Sequence, residues 1–238
     1  NGRRLYFPVR QPHSVPFPVD ESDPDDQYAR LYRESVVAAI ESLALPRYGL
    51  ANYVVPNAER KASAEDRRIL DNLNRAGRRL LGFARTNLFK RLESSGHSFL
   101  LSVRRHILRN LISIYALQND LPLPIGTQDA GLMDPALEDR EVETLPEDNG
   151  EPDPTDGQLA STDLETLRAR AAQLYSVYSK QYRSRFSWIS PSFFQGYLAR
   201  DLEADVHRLL AVLQSAGEWR PDEDAKLKAL WRLLAQQH

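Results

Sequence analysis

The 238 residues carry 27% charged and 42% hydrophobic side chains, ordinary values for a globular chain able to bury a core. No apolar run approaches the roughly eighteen residues of a membrane span, which excludes a transmembrane reading. The absence of cysteine removes disulfides, thiolate metal sites and cysteine nucleophiles, and fits a reducing compartment, so a cytoplasmic location is expected. A chain that opens on Asn1 and holds one methionine, Met133, is expected to be a piece of a longer protein.

The formal charge of −2 hides a sharp asymmetry. Between Arg60 and Asn110, thirteen Lys and Arg face four acids, Glu65, Asp66, Asp71 and Glu93. Between Asp120 and Gly157, twelve acids face only Arg140. A basic block is thus followed at once by an acidic one.

In chain order, Pro8, Pro12, Pro16 and Pro18 make the start an extended arm, with Val15–Val19 suited to an edge strand. An acidic turn over 20–26 follows, in which Asp25 or Asp26 caps a helix expected over about 27–45. Leu31, Ser35, Ala38, Ala39, Ser42 and Leu43 share one face of it, with Tyr28, Val36 and Ile40 on the flanks. Pro46 ends it.

Ser63 and Asp66 resemble a capping box at the start of a much longer helical pattern. Apolar residues then recur at helical spacing from Ile69 to Ile114, and no proline occurs from 57 through 121. Only Ser94-Ser95-Gly96 could interrupt, so either one very long helix or two nearly collinear ones are expected. Residues 120–161 hold prolines, glycines and acids with little to bury, and are expected to be a linker with a helical turn near Pro135–Glu141.

Ser161-Thr162-Asp163 opens another helix whose apolar face runs through Leu164, Leu167, Ala171, Leu174, Tyr175, Tyr178 and Tyr182. It is expected to end near Pro191. A further helix is expected over about 192–216, stopped by Gly217, and a last one after Pro221. The fold class is therefore mainly α: a long-helix bundle with a short extended N-terminal arm and an acidic loop. Its expected parts are the arm (1–26), a basic helical half (27–119), the acidic Pro/Gly-rich linker (120–161) and a C-terminal helical half (162–238).

The chemistry-bearing motifs are sparse. There is no phosphate loop, no GxGxxG, no HExxH and no GxSxG elbow, and the strand–helix alternation of a nucleotide-binding domain is missing. His97 and His106 stand nine apart, unlike a helical metal pair. No catalytic residue and no metal site is expected. The basic block is the feature with a chemical use: Arg75, Arg78, Arg79, Arg85, Lys90, Arg91, Arg104, Arg105 and Arg109 could present a row of cations to phosphates. Any single arginine is explained as a solvated helix face, whereas the surplus of the block is as well explained by nucleic acid or by the acidic loop. Shielding of the basic surface by that loop is a further expectation. Tyr175, Tyr178, Tyr182, Phe186 and Trp188 could stack bases, but aromatics at helical spacing are expected to pack in a core first.

Leu88-Phe89-Lys90-Arg91-Leu92-Glu93-Ser94-Ser95 resembles the LLKRLESS segment of bacterial SWI2/SNF2-like superfamily 2 helicases, including those with phospholipase D-like or antiphage-defence associations. Arg10-Gln11-Pro12-His13, the extended Val15–Val19 and the Tyr28–Tyr32 stretch resemble the exit from the first RecA-like lobe of that family. The run from Glu218 to Leu230 looks like the D-x-K-L helix that precedes the second lobe. Residues 120–161 match nothing in the pattern, and Gly96 departs from it where a better helix former is expected. The resemblance implies an ATP-driven DNA helicase or translocase as the parent. ATP and Mg2+ would be bound by the flanking motor lobes, with no cofactor and no hydrolysis in this segment. Its contribution would be DNA contact through Arg78, Arg79, Arg85, Lys90, Arg91, Arg104 and Arg105, or coupling of lobe movement. The alternative is a helical protein–protein interaction module that binds no nucleic acid.

Overall fold

The computed structural model describes residues 14–126 and 162–236, excepting the side chains of 75–80 and 236. Mainly α is the observed class: helices α1 (Gln27–Leu31), α2 (Glu34–Glu41), α3 (Ala64–Ser94), α4 (Gly96–Gln118), α5 (Leu164–Lys180), α6 (Tyr197–Ala216) and α7 (Ala225–Gln236) are accompanied by a two-stranded sheet, β1 (Leu123–Gly126) with β2 (Phe186–Ile189). None of the described helices is long and apolar enough to cross a membrane. The turn expected at Pro135–Glu141, most of the acidic linker, and Arg10–His13 lie outside the described residues.

Asp26 caps the first helix, accepting from the Ala29 backbone N–H at 2.9 Å. The single helix expected over 27–45 is instead two, broken at Tyr32 and Arg33, where Arg33 takes φ −57°, ψ 142°. The break changes which residues face inward. In a continuous helix Val36 would stand about 140° around the axis from Leu31; with the break, Tyr28, Leu31, Val36, Ile40 and Leu43 are all buried. Ser35, Ala38 and Ser42, expected on the inner face, are exposed.

The capping box is present: the Asp66 N–H donates to Ser63 Oγ at 3.1 Å, and the Ser63 N–H donates to Asp66 Oδ2 at 3.1 Å. The 31-residue α3 that it starts does not run collinear with α4. Ser95 alone separates them, in extended backbone at φ −155°, ψ 126°. It serves both ends, its N–H donating to Arg91 C=O at 2.9 Å and its Oγ accepting from the Ser98 N–H at 3.3 Å. The two helices then fold back on each other. Leu81 of α3 lies against Gly49, and His106 of α4 lies 5.7 Å, ring to ring, from Tyr48. Along a straight helix those residues would stand about 37 Å apart. The expectation failed because one serine that caps better than it propagates stops one helix and starts the next.

Helix α4 is the centre of the molecule and packs against α3, α5 and α6. Phe99, Val103, Ile107, Leu108, Leu111 and Ile114 are buried on several sides of it. One apolar core runs from Leu31 to Ala216, joining residues on both sides of the acidic stretch.

Helix α5 ends at Lys180, not near Pro191, and the expected helical continuation is strand β2. It pairs antiparallel with β1 in the register Leu123↔Ile189 to Gly126↔Phe186. The spacing of Tyr178, Tyr182 and Phe186 suits a helix, but Phe186 reaches Tyr178 by stacking at 4.7 Å from a strand that turns back on α5. Helix α6 begins at Tyr197, later than expected, because 193–195 bond to 53–55: the Val55 N–H donates to Phe193 C=O at 2.9 Å and the Gln195 N–H to Tyr53 C=O at 2.7 Å. Gly217 stops α6 with φ +67°, as expected of a glycine there.

Candidate nucleic-acid interface and terminal junction

The cations expected to form one row are divided between two helices lying side by side. Arg78 and Arg79 have side chains outside the described residues. Arg85 is half-buried and turned inward, its Nη2 donating to Leu43 C=O at 2.8 Å. That bond ties α3 to the corner after α2, so Arg85 is a structural residue in this fold. Lys90 is exposed and Arg91 half-buried near the end of α3; Arg104 and Arg105 are half-buried on α4. Burial pulls the Arg104 guanidinium below its ordinary pKa, and its buried Nε has no hydrogen-bond partner. A guanidinium stays charged under such a shift, so Arg104 remains a half-buried cation.

The same corner is held from the other side by a buried carboxylate. Asp205 of α6 is fully enclosed and accepts from the backbone N–H groups of Ala44 at 2.9 Å and Leu45 at 2.7 Å. Arg208 donates to it at 3.1 Å. Desolvation raises the Asp205 pKa, against the lowering effect of those donors. The site secures Leu45, whose φ of +50° is a strained left-handed conformation for a leucine. Its role is architectural.

The expected aromatic set is packed rather than presented. Tyr175 and Tyr178 are buried, Trp188 stands edge-on to Tyr175 at 5.9 Å, and Trp188 Nε1 donates to Arg183 C=O at 2.8 Å. His97 is exposed, whereas His106 is buried beside Tyr48. Among the described residues no group of three His, Cys, Asp or Glu could hold a metal ion.

A second cluster forms beside the break between α3 and α4, where the arm and the tail meet on α1. Phe17 of the arm packs on Tyr28 of α1 at 4.9 Å, and Tyr28 meets Trp219 edge-on at 5.3 Å. The indole of Trp219 lies over Gly96, so closely that a Cβ there would come within 2.2 Å of it, and within 2.8 Å of Leu31. Gly96 is thus the residue that lets the tail reach the break. Buried Gln27 reads the backbone of Arg220 in both directions, donating to its C=O at 3.0 Å and accepting from its N–H at 2.6 Å. Asp224 caps α7, accepting from the Leu227 N–H at 2.9 Å and from the Tyr28 hydroxyl at 3.1 Å. Burial first, and the Asp224 charge second, push the Tyr28 phenol pKa well up. Lys226 donates to Glu93 C=O at the end of α3 and lies 5.5 Å from the Phe17 ring.

Sequence reasoning did not find this junction, because its bonds span up to 196 residues. Its one visible trace was Gly96, an apparent misfit inside a helix-forming run. No family model matches the chain, and neither a curated protein nor a solved structure matches it.

Proposed function

We propose that the chain is the helical inter-lobe region of an ATP-dependent DNA helicase or translocase of the SWI2/SNF2-like kind. The observation that carries this reading is the terminal junction. The arm and the tail, which the resemblance places beside the first and second motor lobes, meet on Tyr28 of α1, and the tail continues onto the break between α3 and α4. Displacing either segment would disturb Tyr28, which touches both. That is the mechanical property a coupler needs. The break also ends the KRLESS-like run on which the resemblance chiefly stands. ATP and Mg2+ belong to the lobes of the parent, in the cytoplasm, and this region contributes no catalytic group.

DNA contact is assigned to Arg78, Arg79, Lys90, Arg91, Arg104 and Arg105, with Arg85 withdrawn by its bond to Leu43. The contacts would be to backbone phosphates, which are bound without regard to sequence. The test is duplex DNA binding by fluorescence anisotropy across a salt series. Affinity should fall steeply with salt, and replacing those six by alanine should flatten the log–log slope by roughly one for each phosphate no longer neutralised. Unchanged affinity and slope in a folded six-alanine variant would remove the DNA surface from the proposal. The alternative reading, a protein–protein interaction module, is favoured by one observation: the outer face of α7 is bare and apolar.

A further inference from the structure

The chain carries a second basic stretch, apart from the one on α3 and α4. Between Thr166 and Arg200 stand six Lys and Arg and no acid. Arg168 and Arg200 are answered by Glu203 and Asp201, whereas no ion pair ties Lys180, Arg183 or Arg185 to a described carboxylate. These three mark the turn that leads from α5 into β2, with Lys180 and Arg183 exposed and Arg185 half-buried. Burial raises the pKa of the neighbouring Tyr175 phenol and Arg183 opposes it, with no carboxylate acting there.

The turn sets two of these cations on aromatic rings. The Arg183 guanidinium lies over the Trp188 ring at 5.3 Å, and that of Arg185 over the Tyr182 ring at 4.8 Å. Trp188 is itself fixed, edge-on to Phe186 at 6.0 Å and donating from its indole N–H to the Arg183 carbonyl. Strand β2, which carries it, is paired with β1. The fold thus positions both guanidiniums before any ligand arrives. A guanidinium seated on a ring keeps its outer plane for stacking and its N–H edge for an anion. That combination selects among polyanions. An acidic peptide brings charge without a π-face to each charge, and a duplex brings phosphates while its base faces are covered by their neighbours. An unpaired nucleotide brings both a base to stack and a phosphate to meet the charge.

We infer that the turn between α5 and β2 binds single-stranded nucleic acid, with bases stacked on the guanidinium planes of Arg183 and Arg185 and phosphates met by Lys180. The inference does not rest on the helicase reading, since none of these residues lies on α3 or α4. By fluorescence anisotropy at low salt, the protein should bind a fluorescein-labelled dT12 strand saturably. It should bind an abasic strand of equal length and charge more weakly. Replacing Arg183 and Arg185 together by alanine should weaken dT12 binding about tenfold or more, with circular dichroism unchanged. The bond to Trp188 uses the Arg183 backbone carbonyl and survives that change. The double lysine variant keeps the charge and loses the plane, so it should hold the abasic strand as before and lose the preference for dT12. The six-alanine variant should keep that preference, which separates this site from the duplex surface assigned to α3 and α4.

Four results would overturn the inference. The first is no saturable binding of dT12, and the second is equal affinity for the dT12 and abasic strands. The third is dT12 binding that the double alanine variant leaves intact. The fourth is displacement of dT12 by polyglutamate at equal charge concentration, which would reassign the turn to an acidic peptide.

Discussion

Helices α4 and α7 are built from similar material, apolar residues at helical spacing interleaved with basic ones, yet they lead opposite lives. Helix α4 has neighbours on three sides, and even Ser102, His106 and Asn110 are buried with its leucines and isoleucines. Helix α7 is packed on one side only, and its largest side chain, Trp231, is its most exposed hydrophobic one. Periodicity therefore identifies an amphipathic helix without saying whether its apolar face is covered. Coverage depends on what the rest of the chain brings to that face, and the two helices need different experiments.

The sharpest contrast is thermodynamic. Phe99→Ala empties a fully buried site on α4 and is expected to lower unfolding stability by about 3–5 kcal/mol in urea titrations. Trp231→Ala removes a larger ring and should change stability by no more than about 0.5 kcal/mol. Comparable losses at the two positions would mean that α7 is covered in solution.

Asp205→Asn should have an intermediate effect, about 1–3 kcal/mol, because one of the two carboxylate oxygens facing the Ala44 and Leu45 N–H groups becomes a donor. Its pH dependence has a definite sign. Burial holds the folded-state pKa above the ordinary carboxylate value, so the folded protein retains the proton more strongly than the unfolded chain. The contribution is greatest below the ordinary pKa and is lost as pH rises through the raised one. The stability margin of the native protein over the asparagine variant should therefore narrow on going from acid toward neutral pH, as read from urea midpoints in each buffer.

The helical class was legible from the sequence because the apolar repeats on α3, α5 and α6 each carry a strong boundary signal. Ser63 with Asp66, Asp163 and Gly217 act where local chemistry places them. What local chemistry could not supply was direction. A continuous pattern from Ile69 to Ile114 reads the same whether Ser95 passes the helix on or turns it back, and the reversal is decided by Leu81 and His106 meeting the 48–49 segment. Strand β2 was hidden for a related reason, since its pairing with Leu123–Gly126 is a long-range fact. The basic residues were visible as a surplus, but the sequence could not separate Arg85, bound to the Leu43 carbonyl, from exposed Lys90. Charge composition counts cations without saying which way they point.

The central claim is that the tail is seated on the break between α3 and α4, with Gly96 as its seat. A double-mutant cycle on Gly96 and Trp219 tests this most directly. In the native background Gly96→Ala should destabilise by about 1–3 kcal/mol, because the new methyl must displace the indole. In a Trp219→Ala background the same substitution should cost less, because the indole is gone and only the Leu31 side chain, now with room to move, must give way. An equal cost of Gly96→Ala in both backgrounds would contradict the junction, and with it the coupling role proposed for this chain.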